Sequence, residues 1–169
     1  GLDSVKKEGR VDRETAVSLG MQNLSQNGSK SGDGYEVRNV YTNRLIKAGR
    51  NSLKHSLHSD QISSLRTNAR LTAVAGELIK NAIPINALKN ENAQAKGTYA
   101  MVALAKSGRA TFAAIITIEQ HENVQSIEFI DITHAISGRI KREDWSSKRD
   151  QAFGEDSYDL TQSSDISIA

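Results

Sequence analysis

Apolar residues recur along the chain at two spacings, and each spacing predicts one type of element. A stripe with helical periodicity predicts a long helix over residues 65–82. The stripe consists of Leu71, Val74, Ala75, Leu78, Ile79 and Ala82. Pro84 is expected to stop this helix, because proline lacks an amide proton and clashes with the preceding turn. Shorter helices are predicted over residues 12–24 and 51–57.

Runs of β-branched and aromatic residues predict the strands. They cover residues 35–42, 45–47, 98–105, 110–119 and 124–133. Short turns separate the last three, which are therefore expected to form an antiparallel β-meander. The middle strand of that meander is apolar on both faces, so it should be central. The predicted fold class is α+β, with N-terminal helices packed on an antiparallel β-meander sheet of about 4 strands.

The two ends of the chain are more polar than its middle, which predicts three parts. These are a flexible N-terminal segment at residues 1–34, an α+β core domain at 35–140 and a polar C-terminal appendage at 141–169. Residues 25–34 contain three glycines and no apolar side chain, so this run is expected to be mobile. Because the chain begins at Gly1 rather than Met, we expect it to be part of a larger protein.

The composition narrows the class of protein. The chain has no cysteine, which excludes disulfides and thiolate-metal sites. It also has no apolar run near the roughly 20 residues of a membrane-spanning helix, so we expect a cytoplasmic protein without a membrane partner. The net charge is only +2, but cations cluster in residues 38–70 and again in 139–149. This layout is typical of phosphate or nucleic-acid binding and also of an ordinary solvated surface.

The first candidate site is a group of basic and imidazole side chains. Arg50, Lys54 and His58 are spaced four apart, as on one helix face, and His55 stands three residues before His58. Metal-free RNA cleavage needs a base and an acid, for which histidine is suited by its near-neutral pKa. It also needs cations that hold the phosphate, which arginine and lysine provide. Local packing and surface exposure are the alternative explanation for these histidines.

The second candidate site consists of Thr133 and His134, with Arg139 a few residues later. These residues follow the last predicted strand, and a strand end beside a helix is a suitable place to line a cleft. We expect this group to face the first one across the sheet. The alternative is an ordinary strand terminus.

The sequence predicts no metal site and no cofactor. The available metal ligands are His55, His58, His121, Asp131 and His134. Their spacing does not by itself bring together the three or four ligands of a zinc site. The chain also lacks a phosphate-binding loop, a dinucleotide glycine fingerprint and a nucleophile elbow.

Several short stretches resemble a domain found in large polyvalent proteins of phages and of integrative elements from Gram-positive gut bacteria. They are residues 54–57 (KHSL), 78–84 (LIKNAIP) and 97–101 (GTYAM), together with the tail 164–168 (SDISI). The similarity extends over roughly residues 35–139 and that tail. The layout of helices followed by a sheet also resembles the fold of barnase, EndoU and RelE-type nucleases.

This resemblance implies a phage or mobile-element nuclease-like domain that cleaves RNA without a metal. It implies His55 as the first catalytic residue, a second from Thr133, His134 or Arg139, and phosphate binding by Arg50, Lys54 and Arg139. The expected partners are RNA or another nucleic acid, and other domains of a larger parent protein. The alternatives are a non-catalytic accessory module of a polyvalent phage protein and a structural role in the virion.

Overall fold

The computed structural model describes residues 6–7, 10–58, 62–85, 97–107, 110–122, 129–141 and 166–167. Its helices are α1 (Arg13–Asn27), α2 (Arg50–His55), α3 (Ile62–Ala73) and α4 (Ala75–Asn81). Its strands are β1 (Lys6–Lys7), β2 (Arg10–Val11), β3 (Ser29–Ser31), β4 (Gly34–Arg38), β5 (Leu45–Ala48), β6 (Ile83–Ile85), β7 (Thr98–Ser107), β8 (Ala110–Glu122), β9 (Phe129–Lys141) and β10 (Ile166–Ser167). The predicted α+β class is confirmed.

One mixed sheet contains eight of these strands. The antiparallel unit β3-β4-β5 joins the meander β7-β8-β9 through a parallel pairing of β5 with β9, in which Ile46 lies opposite Asp131. Strands β6 and β10 both pair with β7, while β1 and β2 pair only with each other among the described strands. The predicted meander is present, but the sheet has more strands than predicted and is not fully antiparallel. The additional strands β3, β6 and β10 are too short to show an alternating pattern.

The helices and the sheet share one hydrophobic core. Helix α1 contacts α3 and α4, α2 and α3 contact β9, and α4 contacts β4 and β7. Burial of each large apolar side chain stabilises this arrangement by about 1.5–3 kcal/mol. The largest side chains of the core include Leu24, Leu53, Leu71, Leu78, Ile79, Met101 and Ile116, all fully buried. Within the described ranges, every helix is too short or too polar to cross a bilayer.

Helix α1 confirms the helix predicted over residues 12–24 and continues it to Asn27, inside the N-terminal segment that was otherwise predicted to be flexible. The Asp12 side chain caps the helix by accepting a hydrogen bond from the Thr15 amide at 3.1 Å. Ala16, Val17 and Leu24 of α1 are buried in the core. Strand β3 also occupies part of the run that was expected to be mobile, because it pairs with β4.

The long helix predicted over residues 65–82 is instead broken at Val74, whose backbone has φ −116° and ψ 29°. Helix α1 packs against this break and caps the second piece: the Asn23 side-chain oxygen accepts a hydrogen bond from the Glu77 amide at 2.9 Å. Gly76 permits this approach, because a Cβ there would collide with the Asn23 carbonyl oxygen. The apolar stripe is therefore kept, but on two helices.

The last meander strand runs over Phe129–Lys141, rather than ending at residue 133 as predicted. The candidates Thr133 and His134 consequently lie within a strand and not at its terminus. Most of the predicted appendage at 141–169 is outside the described residues. Within the appendage, β10 pairs in parallel with β7, and Ile166 lies opposite Ala105.

Candidate functional site

Two serines attach α2 to the edge of β9. The Ser52 hydroxyl donates a hydrogen bond to the Thr133 carbonyl oxygen, and the Ser56 hydroxyl accepts one from the Ile136 amide at 2.8 Å. Strand β5 pairs with β9 only as far as Ile132, and α2 begins directly after β5. The serine hydroxyls therefore replace the missing strand partner along this part of β9.

Opposite these contacts, α2 forms one wall of a basic groove of about 280 Å³. Arg50 and Lys54 line it from α2, as their four-residue spacing predicts, and His58 lines it from the turn that follows α2. Arg13 and Glu14 line it from α1. Three cationic side chains and one carboxylate thus line the groove. We call this cavity the α1–α2 groove. It offers net positive charge and several N–H donors, the combination that binds phosphate oxygens.

The two histidines at the end of α2 lie side by side. The ring centroids of His55 and His58 are 5.6 Å apart, with the ring planes inclined by 44°. Both residues are exposed. The turn that carries His58 is fixed to α1, because Arg13 Nε donates a hydrogen bond to the Leu57 carbonyl oxygen at 3.3 Å. One imidazole therefore lines the groove and the other is its direct neighbour.

The second predicted group is placed on β9 beside α2. The Thr133 side chain is 1% exposed, and its hydroxyl has no hydrogen-bond partner within the described part of the chain. Its backbone carbonyl, rather than its side chain, makes the contact with Ser52. A substrate in solvent consequently does not reach the Thr133 hydroxyl.

His134 and Arg139 occupy two irregular positions in the pairing of β9 with β8. Ile118 pairs with Thr133 and Thr117 with Ala135, so His134 is an extra residue on β9. The same shift recurs further along, where Gly138 and Ile140 pair with consecutive residues of β8 and leave Arg139 as the extra residue. Such bulges often redirect side chains beside functional sites. The side chains of His134 and Arg139 themselves are outside what the structure describes.

Two other possible metal ligands lie on the meander strands. His121 Nε2 lies 3.1 Å from Glu119 Oε2 on β8, and Asp131 lies opposite Ile46 in the sheet. The described residues contain no group of three or more side chains that would hold a metal ion.

The residue spacing predicted the α2 side of the groove, but nothing in the sequence marked Arg13 and Glu14 as site residues. Both lie in the first turn of the helix that was predicted over residues 12–24, which Asp12 caps. The position of Arg13 and Glu14 next to α2 depends on tertiary packing, which no local sequence pattern predicts.

Comparison with known proteins adds no relative. A scan against protein-family models, a search of curated proteins and a search of solved structures each give no match for this chain.

Proposed function

We propose that this chain is a nuclease-like domain that binds RNA in the α1–α2 groove and cleaves it without a metal. The observation that carries the proposal is the 5.6 Å separation of the His55 and His58 rings beside the groove cations Arg13, Arg50 and Lys54. The resemblance to domains of phage and mobile-element polyvalent proteins supports the same class of activity. A cytoplasmic location, where RNA is present, is part of this proposal.

The proposed reaction uses the 2′-hydroxyl of RNA as the nucleophile. One imidazole takes the proton from this hydroxyl, and the 2′ oxygen forms a bond to phosphorus. The bond from phosphorus to the 5′ oxygen breaks, and the second imidazole, protonated at the start, donates its proton to that oxygen. The products are a 2′,3′-cyclic phosphate and a free 5′-hydroxyl. Arg50 and Lys54 would stabilise the negative charge that develops on the phosphate oxygens.

The identity of the second imidazole distinguishes two versions of this proposal. His58 is the described neighbour of His55 and lines the groove. His134, the partner predicted from the sequence, follows Thr133, whose carbonyl oxygen contacts α2. The His58 version has the stronger support, because both of its rings are located.

A non-catalytic accessory module is the second candidate. The exposure of both His55 and His58 favours it, since solvated imidazoles gain little from a preorganised, water-excluding site. Such a module would use Arg13, Arg50 and Lys54 to hold nucleic-acid phosphates and would leave the RNA intact.

The test is cleavage of a fluorescently labelled single-stranded RNA in the presence of EDTA. We expect activity in the parent chain and a loss of about a hundredfold or more in His55→Ala and in His58→Ala, the usual range for a general acid or base. His121→Ala is the matched control, because that exposed imidazole pairs with Glu119 instead of lining the groove. Circular dichroism checks that each variant is folded.

The pattern of loss assigns the roles. Loss in His55→Ala and His134→Ala but not in His58→Ala would move the second imidazole to β9. Binding of intact RNA that weakens in Lys54→Ala, without cleavage, would replace the enzyme by the accessory module. If the parent chain neither binds nor cleaves RNA, both candidate functions are overturned.

A further inference from the structure

A second and larger cavity adjoins the α1–α2 groove. It has a volume of about 410 Å³ and lies between the turn from β3 to β4 and the beginning of α2. Arg50 lines both cavities. A phosphate held by Arg50 would therefore lie next to this cavity, which we call the Tyr35 pocket.

Two glycines belong to the lining of the Tyr35 pocket. A Cβ at Gly34 would collide with the Ala48 carbonyl oxygen, whereas a Cβ at Gly49 would meet only the Gly34 Cα, at 3.6 Å. Because Gly49 has no side chain and space around it, a ligand can approach the backbone closely there.

The walls of the pocket combine an aromatic ring with polar groups. Tyr35 is half-buried on β4, with the Lys30 ammonium 5.0 Å from its ring centroid. Asn51 contributes an amide from α2, and the Ser52 hydroxyl, which donates to the Thr133 carbonyl oxygen, can still accept a hydrogen bond. An aromatic ring beside hydrogen-bonding groups is a usual means of holding a single-stranded base. The volume also falls in the range of about 300–1,000 Å³ typical of small-molecule sites.

We propose that the Tyr35 pocket is a nucleobase subsite, which holds the base attached to the phosphate bound by Arg50. This inference rests on the proposed function for its substrate class, but it uses different residues. Tyr35 provides the aromatic surface, Asn51 and Ser52 contact the polar edge of the base, and Arg50 links the two cavities. The subsite would give the domain a preference for unpaired nucleotides, since a base within a duplex cannot enter the pocket.

Three kinds of small probe separate the contribution of the base to binding from that of the phosphate. Isothermal titration would compare adenosine and uridine, which lack phosphate, with ribose 5-phosphate, which lacks a base, and with the two nucleoside 5′-monophosphates. We expect the better monophosphate to bind about tenfold more tightly than ribose 5-phosphate, the size of effect that stacking of one base provides. Backbone amide signals of Gly34, Tyr35 and Asn51 should shift with the monophosphate but not with ribose 5-phosphate.

Gly49→Val is the variant that fills the pocket. The Gly49 backbone is extended, with φ −153° and ψ −170°, so valine fits without backbone strain. We expect this substitution to abolish the advantage of the monophosphate and to leave ribose 5-phosphate binding unchanged. Lys54→Ala, which changes only the groove, should weaken both phosphate probes. Asn51→Ala, at an exposed position, serves as a second pocket variant if Gly49→Val does not fold.

The outcomes are distinguishable. One outcome is that the monophosphate and ribose 5-phosphate bind equally, that Lys54→Ala weakens both, and that Gly49→Val affects neither. This result would overturn the base subsite and keep the phosphate groove. A second outcome is that adenosine or uridine binds, that Gly49→Val abolishes this binding, and that ribose 5-phosphate does not bind. This result would keep the base subsite and overturn the phosphate groove. Absence of binding by every probe would overturn the subsite as well as the groove.

Discussion

The hydroxyl of Ser56 accepts a hydrogen bond from the amide of Ile136 at 2.8 Å, although 80 residues separate them in the chain. The Ser56 carbonyl oxygen in turn accepts a hydrogen bond from the Asn68 side chain of α3 at 3.1 Å. The short helix α2 is thus attached to both a strand and a neighbouring helix. Because α2 carries Arg50 and Lys54, these contacts determine where the cations of the groove lie.

Replacing Ser56 by alanine should destabilise the fold. Ser56 is 4% exposed, so the substitution would leave the Ile136 amide buried without its partner, at a cost of about 1–3 kcal/mol. Urea denaturation followed by circular dichroism measures this change. Ser18→Ala, on the exposed side of α1, should change the free energy of unfolding by less than about 0.5 kcal/mol. Equal effects of the two substitutions would contradict the attachment of α2 through Ser56.

The approach of α1 to its neighbours depends on Gly20. A Cβ at this position would lie 2.5 Å from the Thr72 carbonyl oxygen and 2.7 Å from Leu53 Cδ1. Gly20→Ala should therefore cost about 1–3 kcal/mol through overpacking, despite the better helix propensity of alanine. Ser18→Ala, at an exposed position of the same helix, is the matched control. Thermal denaturation should show a lower midpoint for Gly20→Ala alone; an unchanged midpoint would exclude the close packing.

Asn39 is fully buried and terminates α4 through its side chain. Its amide group donates hydrogen bonds to the carbonyl oxygens of Ile79 and Ala82, both at 2.8 Å. Its side-chain oxygen accepts one from the Thr42 amide at 2.9 Å. Asn39→Ala should lower the free energy of unfolding by at least about 2 kcal/mol, since several buried groups lose their partner.

Urea denaturation provides the measurement for Asn39, and Asn51→Ala provides the comparison. Asn51 is exposed on α2, so its replacement should change stability by less than about 0.5 kcal/mol. A loss at Asn39 no greater than that at Asn51 would refute the structural role of the Asn39 amide.

Binding of RNA should depend on salt through the cations of the groove. Each phosphate contact with single-stranded nucleic acid contributes about 0.7 to the slope of log affinity against log salt concentration. Lys54→Ala should lower the affinity and reduce the slope by about that amount. Lys80→Ala removes an exposed cation of α4 that does not line the groove and should leave the slope unchanged. Fluorescence anisotropy at several salt concentrations makes the comparison; identical slopes for both variants would exclude Lys54 from phosphate binding.

Local patterns in the sequence account for the fold class and for one wall of the groove. Alternation in residues such as Ile116 and Ile118, together with short turns, was sufficient to predict the meander. The spacing of Arg50 and Lys54 was sufficient to place them on one side of α2, because neighbours along a helix are set by the helix itself. His58 reaches the same groove from the turn after α2.

The features that the sequence did not predict arise from contacts between distant residues. The break at Val74 depends on packing of α1 against Gly76, and the hydrogen bond from Arg13 to Leu57 joins residues 44 positions apart. The parallel pairing of Ile46 with Asp131 also has no local marker. Local periodicity cannot report such contacts, since they are chosen by the tertiary packing.

The most direct test of RNA cleavage by His55 and a second imidazole is the chemical identity of the two product ends. The substrate is a DNA oligonucleotide with a single ribonucleotide, incubated with the protein and EDTA and analysed by mass spectrometry. We predict one cut, on the 3′ side of the ribonucleotide, which leaves a 2′,3′-cyclic phosphate on one product and a 5′-hydroxyl on the other. His55→Ala should make no cut. Cleavage within the deoxyribose part, or cleavage that persists in His55→Ala, would contradict this prediction.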